Sequence, residues 1–290
     1  LTICPGFVVT EKNKSDGLPK PFAISEEAAA QHMLKALDRE IQEYLFPTSL
    51  KTGILSLRDY GQNLLADQTA FGKGTFWNAS ESLTRNDKNS WDNPNDEIGS
   101  VFIPAASSLP DVVVSELNSI RHVDLLAPSI LASNPDVIAV YFGGSTGYTL
   151  YYPNVDLAAI VPADFDVTGR PWYLKAAPAS NPGRDAVWSD PYLDAALNGI
   201  VITNSAPVRD EAGNLFGVVA QDIQLTRISE IIANIRVGQS GYAFLIDRDR
   251  RLIAMPEAGY SDLGIDPATT PLGNELTPES LNASTRELND

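Results

Sequence analysis

Apolar residues recur at helical spacing between Ser25 and Phe71, at Leu34, Leu37, Ile41, Leu45, Leu50, Ile54, Leu57 and Leu64. The spacing predicts a long helix over 25–72. Ser25 followed by Glu26 and Glu27 marks its start, and Pro47 bends it in the middle. Residues 72–110 are polar and rich in Gly and Asn, with Phe76, Trp77 and Trp91 scattered through them, and read as an irregular connection over a sheet. A second helix is predicted from Val112 to Leu131, ended by SNPD.

The period then changes. VIAVYF, YTLYYP, GIVITNSAPV and LFGVVAQDI are rich in β-branched and aromatic residues and are separated by turn residues, which predicts an antiparallel sheet. RDEAGN at 209–214 is the turn of a hairpin, and a short helix is expected over Thr226–Ile235. GYAFLIDRDRRLIAMPE then repeats the strand–turn–strand layout of VIAVYFGGSTGYTLYYP, so the chain reads as two lobes of one architecture. Past Pro256 no closing strands are predicted, and the second lobe is expected to be partial. LTICPGFVV, at the start, is either a strand or the tail of an apolar segment.

Composition narrows the chemistry. The 290 residues carry a net charge of −16, which disfavours phosphate-rich partners such as nucleic acid and anionic lipid surfaces. No run approaches the ~20 apolar residues that span a bilayer. One cysteine, Cys4, and two histidines, His32 and His122, supply neither an internal disulfide nor a zinc set, and no metal or cofactor is expected. DNPNDE at 92–97 lacks the alternating oxygens of a calcium loop. GGSTG at 143–147 fits the G-x-S-x-G pattern, yet a strand follows it where a nucleophile elbow needs a helix, and no histidine lies downstream. A hairpin turn explains it, and an enzyme is not expected.

One stretch remains. FDVTGRPWY at 165–173, then WSDPYLDA and GNLFGVVAQDIQL, put a guanidinium, an indole, phenols and a carboxylate at strand ends and loops of a single segment. A guanidinium suits a carboxylate, an aspartate suits an ammonium, and aromatic walls exclude water. These are the residue types that hold a zwitterion.

At these residues the chain resembles the double Cache sensor domains, the extracytoplasmic ligand-binding regions of bacterial and archaeal receptors. The resemblance runs from about Ser25 to the end and is most specific over Val137–Pro256. Phe165, Arg170, Trp172, Tyr173, Tyr192 and Asp222 match in order the pattern of the amino-acid-binding subgroup, with Phe165 where that pattern has tyrosine. The missing hydroxyl removes a hydrogen bond of about 0.5–1.5 kcal/mol.

The resemblance implies an α+β fold. It has a lead-in at 1–24, a long N-terminal helix at 25–72, a PAS-like membrane-distal lobe with an antiparallel sheet at 73–236, and a partial membrane-proximal lobe at 237–290. It implies that Arg170 and Trp172 hold a ligand carboxylate while Asp222, Tyr173 and Tyr192 hold its ammonium. It further implies membrane attachment through flanking helices and allows a homodimer along the N-terminal helix. The favoured ligand is an α-amino acid; amines, purines and organic acids stay open, as does a structural Cache module that senses nothing.

Overall fold

The computed structural model describes residues 2–4, 48–105, 108–224, 230, 232, 234, 236–237, 241–242, 244–246 and 252–263. The chain divides into two compact units, Thr48–Gln224 and Leu1–Pro47 with Leu225–Asp290. In the latter, strand β1 (Thr2–Cys4) pairs antiparallel with Phe244–Ile246, which pairs in turn with Leu252–Ala254. A two-stranded ladder joins Arg236–Val237 to Gly241–Tyr242, and a helix runs over Glu257–Leu263. Thr2–Cys4 of the apolar start is therefore strand, and the rest of LTICPGFVV lies outside the described residues. The expected lack of closing strands beyond that helix falls on residues 264–290, outside the described residues, as does the predicted helix over 25–47.

The larger unit is built on a nine-stranded antiparallel sheet. Its strands are β2 (Thr84–Arg85), β3 (Trp91–Asp92), β4 (Ser100–Ile103), β5 (Val137–Gly144), β6 (Thr149–Tyr152), β7 (Val187–Trp188), β8 (Tyr192–Leu193), β9 (Ile200–Arg209) and β10 (Leu215–Gln224). They lie in the order β2-β3-β4-β6-β5-β10-β9-β7, with β8 also paired to β9. The four strands read from the sequence are present, and β9 and β10 meet at a hairpin turn where Gly213 takes φ +86°. That backbone region favours glycine.

Two segments differ from the expectation. The connection at 72–110 contributes β2, β3 and β4, because backbone pairing needs no hydrophobic alternation in two-residue strands; only β4 is buried throughout. The helix expected over Val112–Leu131 is split into Asp111–Ile120, a 3-10 turn at Arg121–Leu125 and Ala127–Ser133. Pro128 accounts for the break: it has no N–H to give the preceding turn and sits in the first turn of the last helix.

The central strands are buried along nearly their whole length because both faces of the sheet are covered. Against one face lies helix Thr48–Ala66, whose Leu50, Ile54, Leu57 and Leu64 are buried at the helical spacing seen in the sequence. Gln221 on β10 donates from Nε2 to the Leu50 carbonyl at 2.8 Å, fixing the first turn of that helix to the sheet. Against the other face pack Leu157, Ala158, Val161, Val167, Trp172 and Ala176, meeting Ala139, Tyr141, Val218 and Ala220. Side chains alternate along a strand. Val218, Ala220 and Asp222 therefore share the second face, while Gln221 takes the first.

All four tryptophans, at 77, 91, 172 and 188, lie in this unit, so tryptophan fluorescence, excited selectively, reports on it alone. Ile54 is fully buried. Ile54→Ala is expected to lower its stability by about 2–5 kcal/mol, read as an earlier tryptophan transition in urea; an unchanged midpoint would show that the helix is not part of this core.

Candidate functional site

Local chemistry fixes where Arg170 points. Asp166 caps a 3-10 turn at Val167–Gly169, accepting from the Thr168 N–H at 2.9 Å, and Pro171 opens the helix Pro171–Ala176. Arg170 lies between them in extended conformation, with φ −74° and ψ 148°. Its guanidinium lies 5.8 Å from the Phe165 ring centroid and 5.4 Å from that of Tyr192, and Nη2 donates to the Leu193 carbonyl at 2.8 Å.

Beside it is a small, partly open cavity. Phe165, Arg170, Trp172 and Tyr192 line it, together with Tyr141, Thr149 and Tyr151 from the sheet, Leu157 and Val167 from the covering layer, and Asp194, Ala195 and Ala196 after β8. Trp172 stands edge-on to Tyr141, with ring centroids 4.9 Å apart. Gly143 allows this: a Cβ there would come within 2.8 Å of Trp172 Cη2.

Two of the expected site residues are off the wall. Tyr173 packs behind Trp172, ring to ring at 5.6 Å, in the core. Asp222 lies one layer deeper, under Tyr141 and Thr203. Its Oδ1 accepts from the Tyr141 hydroxyl at 2.5 Å and from Thr203 Oγ1 at 2.6 Å. Thr203 Oγ1 in turn contacts the Tyr192 hydroxyl at 2.7 Å, so Asp222 is joined to two wall residues. Its Oδ2 is buried and has no hydrogen-bond partner. The ladder between β5 and β10 shifts register between Asp222 and Ile223, a bulge of the kind that re-aims a side chain.

Burial dominates the electrostatics of this carboxylate. Loss of water pushes the Asp222 pKa up to about 7, against the opposing pull of the hydrogen bonds from Thr203 and Tyr141. The Tyr141 hydroxyl is pushed well above its ordinary value by the same burial and by the neighbouring acid. Among the described wall residues the cavity carries one guanidinium, Arg170, and one carboxylate, Asp194, with Asp222 behind.

Asp194 was not among the residues picked from the sequence, nor were Tyr141 and Tyr151. Period-2 reading would have found them: Tyr192 and Asp194 flank Leu193 in an extended segment, and Tyr141 shares a face with Ala139 and Gly143.

A second cavity lies between Phe76, Trp77, Ile98 and the buried groups Arg121 and Asp124. Arg121 contacts Glu97 Oε2 and Asp124 Oδ2, each at 2.9 Å, donates to the Gly99 carbonyl and covers the Trp77 ring at 4.9 Å. Glu97 also accepts from Trp77 Nε1 and Asn93 Nδ2. These charges bind one another, and the cluster pins the 93–99 loop to the helical layer.

With this geometry established, comparison with known proteins places the chain. The Cache domain family model (dCache_1) matches residues 28–273. The chain belongs to the Cache domain family. This Cache chain is 32% identical over 168 residues to the methyl-accepting chemotaxis protein PctB of Pseudomonas aeruginosa, covering 57% of the chain and 25% of PctB. It is 25% identical over 252 residues to McpC of Bacillus subtilis, covering 84% and 36%. It thus spans about a quarter of PctB and about a third of McpC. Similar solved structures include the ligand-binding domain of PctB in complex with L-Arg (31% identity, 51% of this chain and 60% of that one, TM-score 0.38). Another is the ligand-binding domain of the Pseudomonas fluorescens chemoreceptor CtaA with L-alanine (20%, 85% and 80%, TM-score 0.47). Among the described residues of the Cache chain, no helix is long and apolar enough to cross a membrane, and no cluster of three or more His, Cys, Asp or Glu could hold a metal ion.

The pH dependence of stability follows from Asp222. An unfolded aspartate titrates near roughly 3.9, so the folded chain holds this proton more tightly, and the stabilisation is complete below that pH and lost as pH rises through about 7. In thermal unfolding from pH 5 to 8 without ligand, wild type should therefore lose stability relative to Asp222→Asn. Parallel profiles for the two proteins would show that Asp222 does not titrate in this range.

Proposed function

We propose that this Cache chain is the extracytoplasmic ligand-binding part of a transmembrane signalling receptor, and that its larger unit, as the membrane-distal lobe, binds an α-amino acid. The second unit is then the membrane-proximal lobe. One observation carries the reading: an apolar and aromatic cavity is lined by a guanidinium and a carboxylate, and a second, buried carboxylate is tied to its wall by hydrogen bonds. Its chain relatives are named as methyl-accepting chemotaxis proteins, which supports a receptor.

In this reading the ligand carboxylate takes the donors of Arg170 that Leu193 leaves free, in the fork geometry that makes such pairs strong. The ammonium goes toward Asp194 and toward Asp222, whose unpartnered Oδ2 gains a charged donor. Tyr192 relays to Asp222 through Thr203, and Trp172 and Phe165 exclude water. Tyr173 supports Trp172 from behind. Leu157, Val167, Ala195 and Ala196 leave an apolar subsite for the side chain. Binding, with no catalytic step, shifts the receptor between signalling states by its difference in affinity for them.

Titration calorimetry with amino acids tests this. Hydrogen bonds to charged groups contribute about 1.5–3 kcal/mol, so Arg170→Ala and Asp222→Asn should each weaken binding by about tenfold or more. An amine of the same side chain, lacking the carboxylate, should bind correspondingly less well. If the amine binds as tightly as the amino acid, or Arg170→Ala has no effect, the site is an amine site and Arg170 is structural.

A further inference from the structure

The wall segment that carries Asp194 is held only in part by its apolar residues: Ala195 and Ala196 pack against the core, while Leu193, 71% exposed, and Leu197, 77% exposed, gain little from hydrophobic burial. Its backbone closes in a turn, with the Asp194 N–H on the Gly199 carbonyl at 2.8 Å, and Leu197 and Gly199 both take positive φ, +66° and +80°. Beyond the pairing of β8 with β9, from which the turn projects, Asn198 ties it to the sheet. Its side-chain amide donates to Asp194 Oδ2 at 2.7 Å and to the Tyr151 hydroxyl at 3.0 Å. Its backbone carbonyl accepts from Gln224 Nε2, at the end of β10, at 3.0 Å.

One residue thus joins a cavity carboxylate and a cavity phenol through its side-chain amide and the last residue of the central strand through its backbone carbonyl. The Asn198 bond takes one oxygen, Oδ2, of the Asp194 carboxylate, which is buried in the cavity wall. Gln224 limits the turn from the other side, because losing its bond to the Asn198 carbonyl frees the backbone that carries the amide.

We propose that Asn198 is a positioning residue for the ammonium end of the ligand site: it touches no ligand, and it acts by holding the Asp194 carboxylate against the cavity. This deepens the amino-acid reading and rests on it. Its contacts put Asn198 in a chain with Asp194, and two groups acting as one unit give non-additive effects when changed together.

The experiment is a double-mutant cycle by titration calorimetry, using the tightest binder among the twenty proteinogenic L-amino acids. Asn198→Ala should weaken binding about tenfold in the wild-type background and less than twofold in the Asp194→Asn background. Gln224→Ala, which leaves every cavity side chain in place, should show a smaller loss with the same dependence on Asp194. It carries the test if Asn198→Ala fails to fold by tryptophan fluorescence. Equal losses in both backgrounds would mean that Asn198 only supports the fold, and no loss from Asp194→Asn itself would leave Asn198 nothing to position; either overturns this proposal while leaving the amino-acid reading standing. A wild-type chain that binds none of the twenty amino acids overturns that reading first, and the role of Asn198 with it.

Discussion

Asp222 lies in a sheet whose two faces are both covered, so its carboxylate has no water to compensate it and depends on what the neighbouring strands supply. Thr203 on β9 and Tyr141 on β5 supply hydrogen bonds to one oxygen, and nothing among the described residues supplies the other. Much of the site is arranged around that shortage. Tyr141 stands as it does because its hydroxyl is tied down, Trp172 packs edge-on against Tyr141, and Gly143 is bare because Trp172 occupies the space a side chain would need.

The two poles of the cavity are held in different ways, and the physics of each suits its place. Arg170, at the partly exposed side, keeps its charge in any protein environment and needs little desolvation to be useful. The acid beneath is fully buried, where interactions with a charge are strongest and an unmet charge costs most. The half-buried guanidinium lines the cavity, and the fully buried carboxylate reaches it only through the hydroxyls of Tyr141, Thr203 and Tyr192.

The central sheet was legible because strand signals survive burial on both faces: VIAVYF and GVVA are apolar at every position, and the turn residues between strands are strong markers. Strands β2 and β3 were not legible, since two-residue pairings leave no periodic trace. Arg170, Trp172 and Tyr192 could be found from residue type alone, as a charged or aromatic side chain at a loop or strand end has few other uses. Asp222 was found but not its depth, because a sequence shows that an acid follows GVVA and not which hydroxyls reach it. Tyr173 was expected at the ligand's ammonium and lies behind Trp172, because adjacent aromatics in a short helix point in different directions and only packing decides which one faces the space. Asp194 was passed over because an aspartate in a turn-rich stretch reads as solvated until Asn198 is seen bound to it.

Gln221 and Asp222 are consecutive on β10 and point to opposite faces. One holds the opening turn of helix Thr48–Ala66 through the Leu50 carbonyl, and the other closes the floor beneath the cavity. A single peptide unit is therefore the whole thickness of the partition between them. Both residues are paired to β5 on one edge and β9 on the other, so the strand cannot twist at Asp222 without disturbing the ladder that also carries Gln221, and the two layers are geared at that point like wheels on one axle.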